Sequence, residues 1–157
     1  MESTAERYIA FKVSGYLLAL PVDAVLKVIA CPPELRSNLQ QVGLAQMGSR
    51  TLTVLNLHSL FSDRPTSGGQ FLLIAKSDRG DLCGITTDDP PNMIEIDSED
   101  LRDTTHFRLP ERWKPWFNGV ATLSGNNTST TILMFDLDRA IQAETASFSP
   151  QLALAAS

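Results

Sequence analysis

Apolar residues fall along this chain in short runs broken by turn residues at roughly eight- to twelve-residue spacing, and two of those runs belong to a unit that occurs twice. Residues 43–61 read GLAQMGSRTLTVLNLHSLF and residues 119–141 read GVATLSGNNTSTTILMFDLDRAI. Each copy opens on Gly and a small apolar run, passes a Gly/Ser/Asn turn, rises along a Thr-led apolar strand and reaches Asn56 or Asp136. Asn and Asp cap helices because the side-chain oxygen accepts from the first unbonded helical N–H groups. Beyond the cap, Leu57, Leu60 and Phe61 stand at i, i+3, i+4, as do Leu137, Ala140 and Ile141, giving one narrow apolar stripe per copy. The pattern predicts a hairpin followed directly by a short helix, twice, and so two related lobes. The run 131–135 is apolar on both pleat faces, which predicts a strand covered on both sides.

Elsewhere the same reading predicts further short elements. Residues 1–6 form a loose leader, 8–13 alternate as a strand, Ser14-Gly15 makes a tight turn and 16–20 return. Pro21 suits the first position of a helix, and Val22, Val25, Leu26 and Ile29 follow at helical spacing, so a third strand-to-helix unit is expected there. Cys31-Pro32-Pro33 ends it. The Ser/Pro/Gly-rich stretch 62–69 is the expected crossing between lobes. Residues 70–75 and 82–85 are strands about the turn 77–80, Met93-Ile94-Glu95-Ile96 is another, and 144–157 is an Ala/Ser-rich tail. About nine or ten short strands with three short helices describe a mainly β protein, and small closed barrels solve the edge problem for strands this short. The expected architecture is two such barrels, one per copy.

Composition narrows the chemistry. At 157 residues the chain has the size of one ordinary domain or two small lobes sharing a core. The formal charge is −5 with no Lys/Arg cluster, so the phosphate-neutralising stripe of a nucleic-acid binder is missing. Cys31 and Cys83 stand singly without a C-x-x-C pair, which suits a reducing compartment. No run approaches the ~18 apolar residues of a membrane span and the N-terminus has no apolar signal core, so the expected location is cytoplasmic, without membrane insertion. His58 and His106 are the only histidines, and His58, one residue past Leu57, is expected on the solvent face of its helix. Phosphate-loop, dinucleotide, zinc-helix and nucleophile-elbow motifs are all missing, so neither a catalytic residue, nor a metal ligand set, nor a cofactor is expected. The acids between Asp88 and Asp103 alternate with Pro, Ser and Asn as a solvated surface does. Trp113, Trp116 and Phe117 suit a plug at a barrel end better than an exposed contact patch.

Taken in order, YLLALPVDAVLKVI (16–29), VGLAQ (42–46), VLNLHSLF (54–61), LCGITTDD (82–89), NGVAT (118–122) and MFDLDRAI (134–141) resemble the CheW-like domain over about residues 7–143, nearly the whole chain. The resemblance implies two small pseudo-symmetric SH3-like β-barrels packed together, with short helices and a C-terminal helix. It also implies a noncatalytic adaptor in a bacterial chemosensory array, coupling a methyl-accepting chemoreceptor or similar sensor to the regulatory domain of a CheA-type histidine kinase. By position, the receptor-facing groove of that family corresponds to Val28 and Ala30, with Gly43 and the turn Met47-Gly48-Ser49, and the expected partner-binding set is Val28, Ala30, Gly43, Met47, Gly48 and Arg50. This chain departs from the family's Asn-Leu-Arg-Gly turn: it carries Gln46-Met47-Gly48-Ser49, so the guanidinium, a rigid multi-donor fork, is replaced by Gly48 and the nearest cation is Arg50. The acid often found at Ala30 is also missing, and Pro90-Pro91 stands where an apolar segment is usual. A relative serving pilus motility or phototaxis fits these departures, and a small peptide- or ligand-binding β module is the alternative from another class.

Overall fold

The computed structural model describes residues 5–32, 42–47, 49–55, 57–61, 69–103, 109–125 and 127–142. Eleven strands are formed: β1 (Ala5–Val13), β2 (Tyr16–Pro21), β3 (Val25–Ala30), β4 (Val42–Met47), β5 (Arg50–Leu55), β6 (Phe71–Lys76), β7 (Leu82–Thr87), β8 (Asn92–Asp97), β9 (Leu101–Arg102), β10 (Phe117–Gly125) and β11 (Thr128–Phe135). One helical turn, α1 (Leu57–Leu60), follows β5, and a helix over residues 137–142, α2, follows β11. The strands make two sheets, in the orders β8-β1-β2-β11-β10-β9 and β3-β6-β7-β5-β4, and each curls into a small SH3-like barrel.

Each barrel holds one repeat copy, as expected, but neither is built from one half of the chain alone. Hairpin β1–β2 lies in the sheet built otherwise from β8 to β11, and hairpin β6–β7 lies in the sheet built otherwise from β3, β4 and β5. Each half of the chain therefore completes the other half's barrel. The joints are the two parallel pairings, β11 with β2 (Ile132 opposite Leu17) and β5 with β7 (Thr53 opposite Cys83). Parallel neighbours need a long connection, so a strand finds such a partner in the other half more readily than in its own hairpin. The chain changes sheet between β2 and β3 and again between β7 and β8. The stretch 62–69, expected to cross between lobes, connects β5 and α1 to β6 within one sheet, and all of it but Gly69 lies outside the described residues.

Two more expectations are corrected. Past Pro21 there is only a single 3-10 turn, Val22–Ala24, after which residues 25–30 are strand β3, paired antiparallel with β6. The spacing of Val25 and Ile29 fits a helix and a strand edge alike, and β-branched Val25, Val28 and Ile29 settle into the strand once β6 offers a ladder. The leader also begins to pair earlier than expected, with Ala5 opposite Asp97 and Glu6 opposite Ile96. The Ser14-Gly15 turn is as expected: both residues have positive φ, 51° and 85°, the geometry of a two-residue hairpin loop. Asp136 caps α2 as expected, its Oδ1 accepting from the Arg139 N–H at 3.0 Å. The corresponding Asn56, like the 144–157 tail, lies outside the described residues.

The alternation of side chains explains why the central strands are apolar on both faces. On β11, Ile132 and Met134 point into the first barrel, while Leu133 and Phe135 point into a core shared by the two barrels. On β6, Leu72 and Ile74 fill the second barrel, while Leu73 and Ala75 join the shared core. Strand β7 does the same with Leu82 on one side and Cys83 and Ile85 on the other. Between the last two, a Cβ on Gly84 would meet Leu52 and Leu72 at 3.0 Å, so the second barrel is packed too closely there for a side chain. Trp113, Trp116 and Phe117 are buried in the shared core, where the sequence expected a plug.

A polar clasp closes the same interface at one side. Asp88, directly after β7, donates its N–H to the Lys12 carbonyl of β1 at 2.9 Å. Its Oδ2 accepts from the Ser14 N–H at 2.8 Å, and its Oδ1 lies 2.5 Å from His58 Nε2 on α1. His58 Nδ1 is 3.4 Å from the Thr86 hydroxyl. His58 is therefore buried, at 7% exposure, and not on the solvent face where its place past Leu57 suggested. A helix of one turn has too little surface to keep a polar side, and the ring has a carboxylate to meet at the end of the neighbouring strand β7. The pseudo-equivalent contact on the other side is weaker: Asp138 of α2 accepts from the exposed Asp78 N–H at 3.2 Å.

Two outcomes are expected. Leu73→Ala, in the shared core, should lower stability by about 3 kcal/mol in urea unfolding, with both barrels still melting in one transition. Asp88→Ala should cost about 2 kcal/mol, because it removes one carboxylate from both the buried His58 ring and the Ser14 N–H, whereas Asp138→Ala should cost about 0.5 kcal/mol or less.

Candidate docking surfaces

With the central strands covered on both faces, exposed apolar surface collects on the outermost ones. Strand β3 pairs with β6 along one edge only, and its other edge has no strand partner among the described residues. Val28 is 39% exposed and Ala30 is exposed, and two residues apart on a strand they share a pleat face. The register shifts between Val25 and Lys27, which leaves Leu26 as a bulged residue, 52% exposed. Leu26, Val28 and Ala30 thus leave an apolar strip exposed along an edge strand that a bulge interrupts.

The other candidate residues lie on hairpin β4–β5 at the far edge of the same sheet. Gly43 is opposite Val54, and Met47 is opposite Arg50 at the hairpin end. Arg50 is exposed at the start of β5, and Gly48 lies outside the described residues. Strand pairing therefore does not join the two groups: Val28 and Ala30 on β3 are separated from Gly43, Met47 and Arg50 by β6, β7 and β5 in the ladder. Both groups belong to the second barrel.

Sequence reasoning missed Leu26, which a helical reading places on the buried stripe. It also missed Met93, 57% exposed on β8, the matching edge strand of the first barrel. The signal available was β-branched enrichment directly after Pro21 and Pro91, which marks strand starts as readily as helix starts.

Candidate chemistry elsewhere is closed off. Thr86, His58 and Asp88 form a line like that of a nucleophile, its base and an orienting acid, but the Thr86 hydroxyl is 1% exposed and no substrate reaches it. Cys83 is fully buried, which pushes its thiol far up, away from the reactive thiolate. The Tyr8 phenol is raised by burial and then by the Glu6 carboxylate, to which it donates at 3.3 Å. No group of three or more His, Cys, Asp or Glu placed to hold a metal occurs among the described residues. No described helix is long and apolar enough to cross a membrane.

The comparisons with known proteins agree with this geometry. The family model described as the CheW-like domain matches residues 7–145. No curated protein matches the chain. Among solved structures, the chain is similar to the crystal structure of the scaffolding protein TtCheW from Thermoanaerobacter tengcongensis, with a TM-score of 0.64 at 15% identity, covering 85% of this chain and 90% of that one. Two interlocked barrels, a double-faced core, exposed outer strands and the match over residues 7–145 together make this chain a member of the CheW-like domain family.

Proposed function

We propose that this protein is a noncatalytic adaptor of a bacterial chemosensory array, docking the regulatory domain of a CheA-type histidine kinase and a chemoreceptor-like sensor on separate surfaces of its barrels. The observation that carries the reading is the edge strand β3, with Leu26 at 52% and Val28 at 39% exposure beside β6 and β7, which bury Leu72, Leu73, Ile74, Leu82 and Ile85. A partner strand or loop laid along β3 gains main-chain hydrogen bonds from the edge and apolar contact from these side chains. Such transient signalling contacts are small and partly polar, in keeping with a strip of this size.

The second surface is hairpin β4–β5, where Gly43, Met47, Gly48 and Arg50 are proposed to meet the receptor. Gly48 stands where the family usually has Arg, so the only cation at this hairpin end is Arg50, two residues further along. A single displaced cation offers fewer fixed donors toward a carboxylate than the usual arrangement. This favours a specialised member, serving pilus motility or phototaxis, over a general flagellar coupler.

The kinase contact is checked by titrating the isolated regulatory domain against the chain and against Val28→Asp. The charge on the apolar strip should weaken binding at least about tenfold with the melting temperature unchanged, and equal binding removes β3 from the interface. The receptor contact is checked with Gly48→Arg, which should raise co-sedimentation with receptor-containing membranes, and unchanged recruitment removes the argument from the missing guanidinium.

A further inference from the structure

Hairpin β10–β11 runs past the barrel that it helps to build. Strand β11 pairs with β2 only at Ile132, Leu133 and Met134, while its pairing with β10 continues to Thr128. Residues 128–131 are all exposed, and their β2-side edge has no strand beside it among the described residues. Soluble proteins guard such edges with Lys, Pro or a bulge. Here the edge reads Thr-Ser-Thr-Thr, strand-forming, uncharged, without Pro and in regular register with β10.

The place a next strand would occupy is not flat solvent. Where β2 stops at Tyr16, a cleft of about 590 Å³ opens beside Thr130 and Thr131, walled by Leu109, Pro110 and Trp113. Tyr16, 41% exposed, is held rigid there, stacked on Phe61 at 4.7 Å and edge-on to Trp113 at 5.2 Å. Among the described residues, Lys12 is the one charged residue lining the cleft. Main-chain donors and acceptors along one side, an aromatic wall on the other and a single cation at the rim form the pattern that receives an extended peptide.

We propose that this cleft is a strand-addition site: an extended segment of a partner protein pairs with β11 along Thr128–Thr131, seats one apolar side chain against Tyr16 and Trp113, and sets a carboxylate near Lys12. The open edge selects an extended backbone over a helix, and Lys12 selects an acidic segment over a basic one. The site lies on the first barrel, away from β3 and hairpin β4–β5 of the second, so it does not rest on the kinase and receptor reading.

The test is tryptophan fluorescence of the full chain titrated with a capped octapeptide alternating valine and threonine, with one central phenylalanine and a glutamate two residues later. Two further peptides carry N-methyl groups on alternate amides, one in each frame, leaving the side chains unchanged. Saturable binding is expected, weakened at least about tenfold by methylation in one frame but not in the other, and weakened similarly by Thr128→Lys/Thr130→Lys in a chain of unchanged melting temperature. Kinase-domain binding by that double variant should stay at the parent level, which separates this site from the β3 contact. Equal binding of both methylated peptides would mean side-chain capture without strand pairing and would overturn the proposal. So would no binding at about 1 mM peptide. Concentration-dependent dimerisation in light scattering, lost in the double variant, would assign the edge to a second copy of the chain and overturn it as well.

Discussion

The structure depends on burying both faces of its central strands. A lone small barrel has one inside and leaves its outer face wet; here Leu18, Leu73, Ile85, Leu133 and Phe135 on those outer faces pack against one another to make a third core between two barrels. Each fully buried side chain of this kind contributes about 1.5–3 kcal/mol, so the shared core is as necessary as either barrel interior. The exchange of hairpins follows the same need. With β1–β2 in one sheet and β6–β7 in the other, neither barrel is complete without both halves of the chain.

The Asp88 clasp sits where the chain passes from β7 toward β8 and changes sheet. One carboxylate there holds the N–H of a left-handed Ser14, a turn residue of the other barrel, and the ring of His58 from its own. A side chain other than Gly at positive φ carries a conformational cost, and an acceptor placed on its N–H helps to offset it. The opposite side has only the exposed Asp78–Asp138 contact. Duplication thus left a pseudo-symmetric frame whose two polar joints have diverged in strength.

Because the central strands are committed to packing, exposed apolar side chains and open strand edges are left to the periphery. The outer strands β3 and β8 keep apolar residues in solvent, and the projecting end of β10–β11 keeps backbone groups there. An adaptor needs several such surfaces on one rigid body and no reacting centre. The line of Thr86, His58 and Asp88 shows how far a suggestive set of residues is from chemistry once the hydroxyl at its end is sealed from solvent.

Local patterning determined a good deal by itself. The strands on either side of the turn 77–80, the Ser14-Gly15 turn, the Asp136 cap and the doubly apolar run at 131–135 are local facts, governed by side-chain periodicity and backbone preference, and they were legible as such. The duplicated unit likewise announced two related barrels. Tertiary structure decided the rest. Whether 25–30 is helix or strand turned on β6 lying beside it, since Val25 and Ile29 satisfy both periods. Which hairpin joins which sheet turned on parallel pairings between residues distant in sequence, Leu17 with Ile132 and Thr53 with Cys83, which leave no mark in local pattern. His58 became buried for the same reason: its partner Asp88 is thirty residues away, and only the pairing of β5 with β7 brings a carboxylate to that ring.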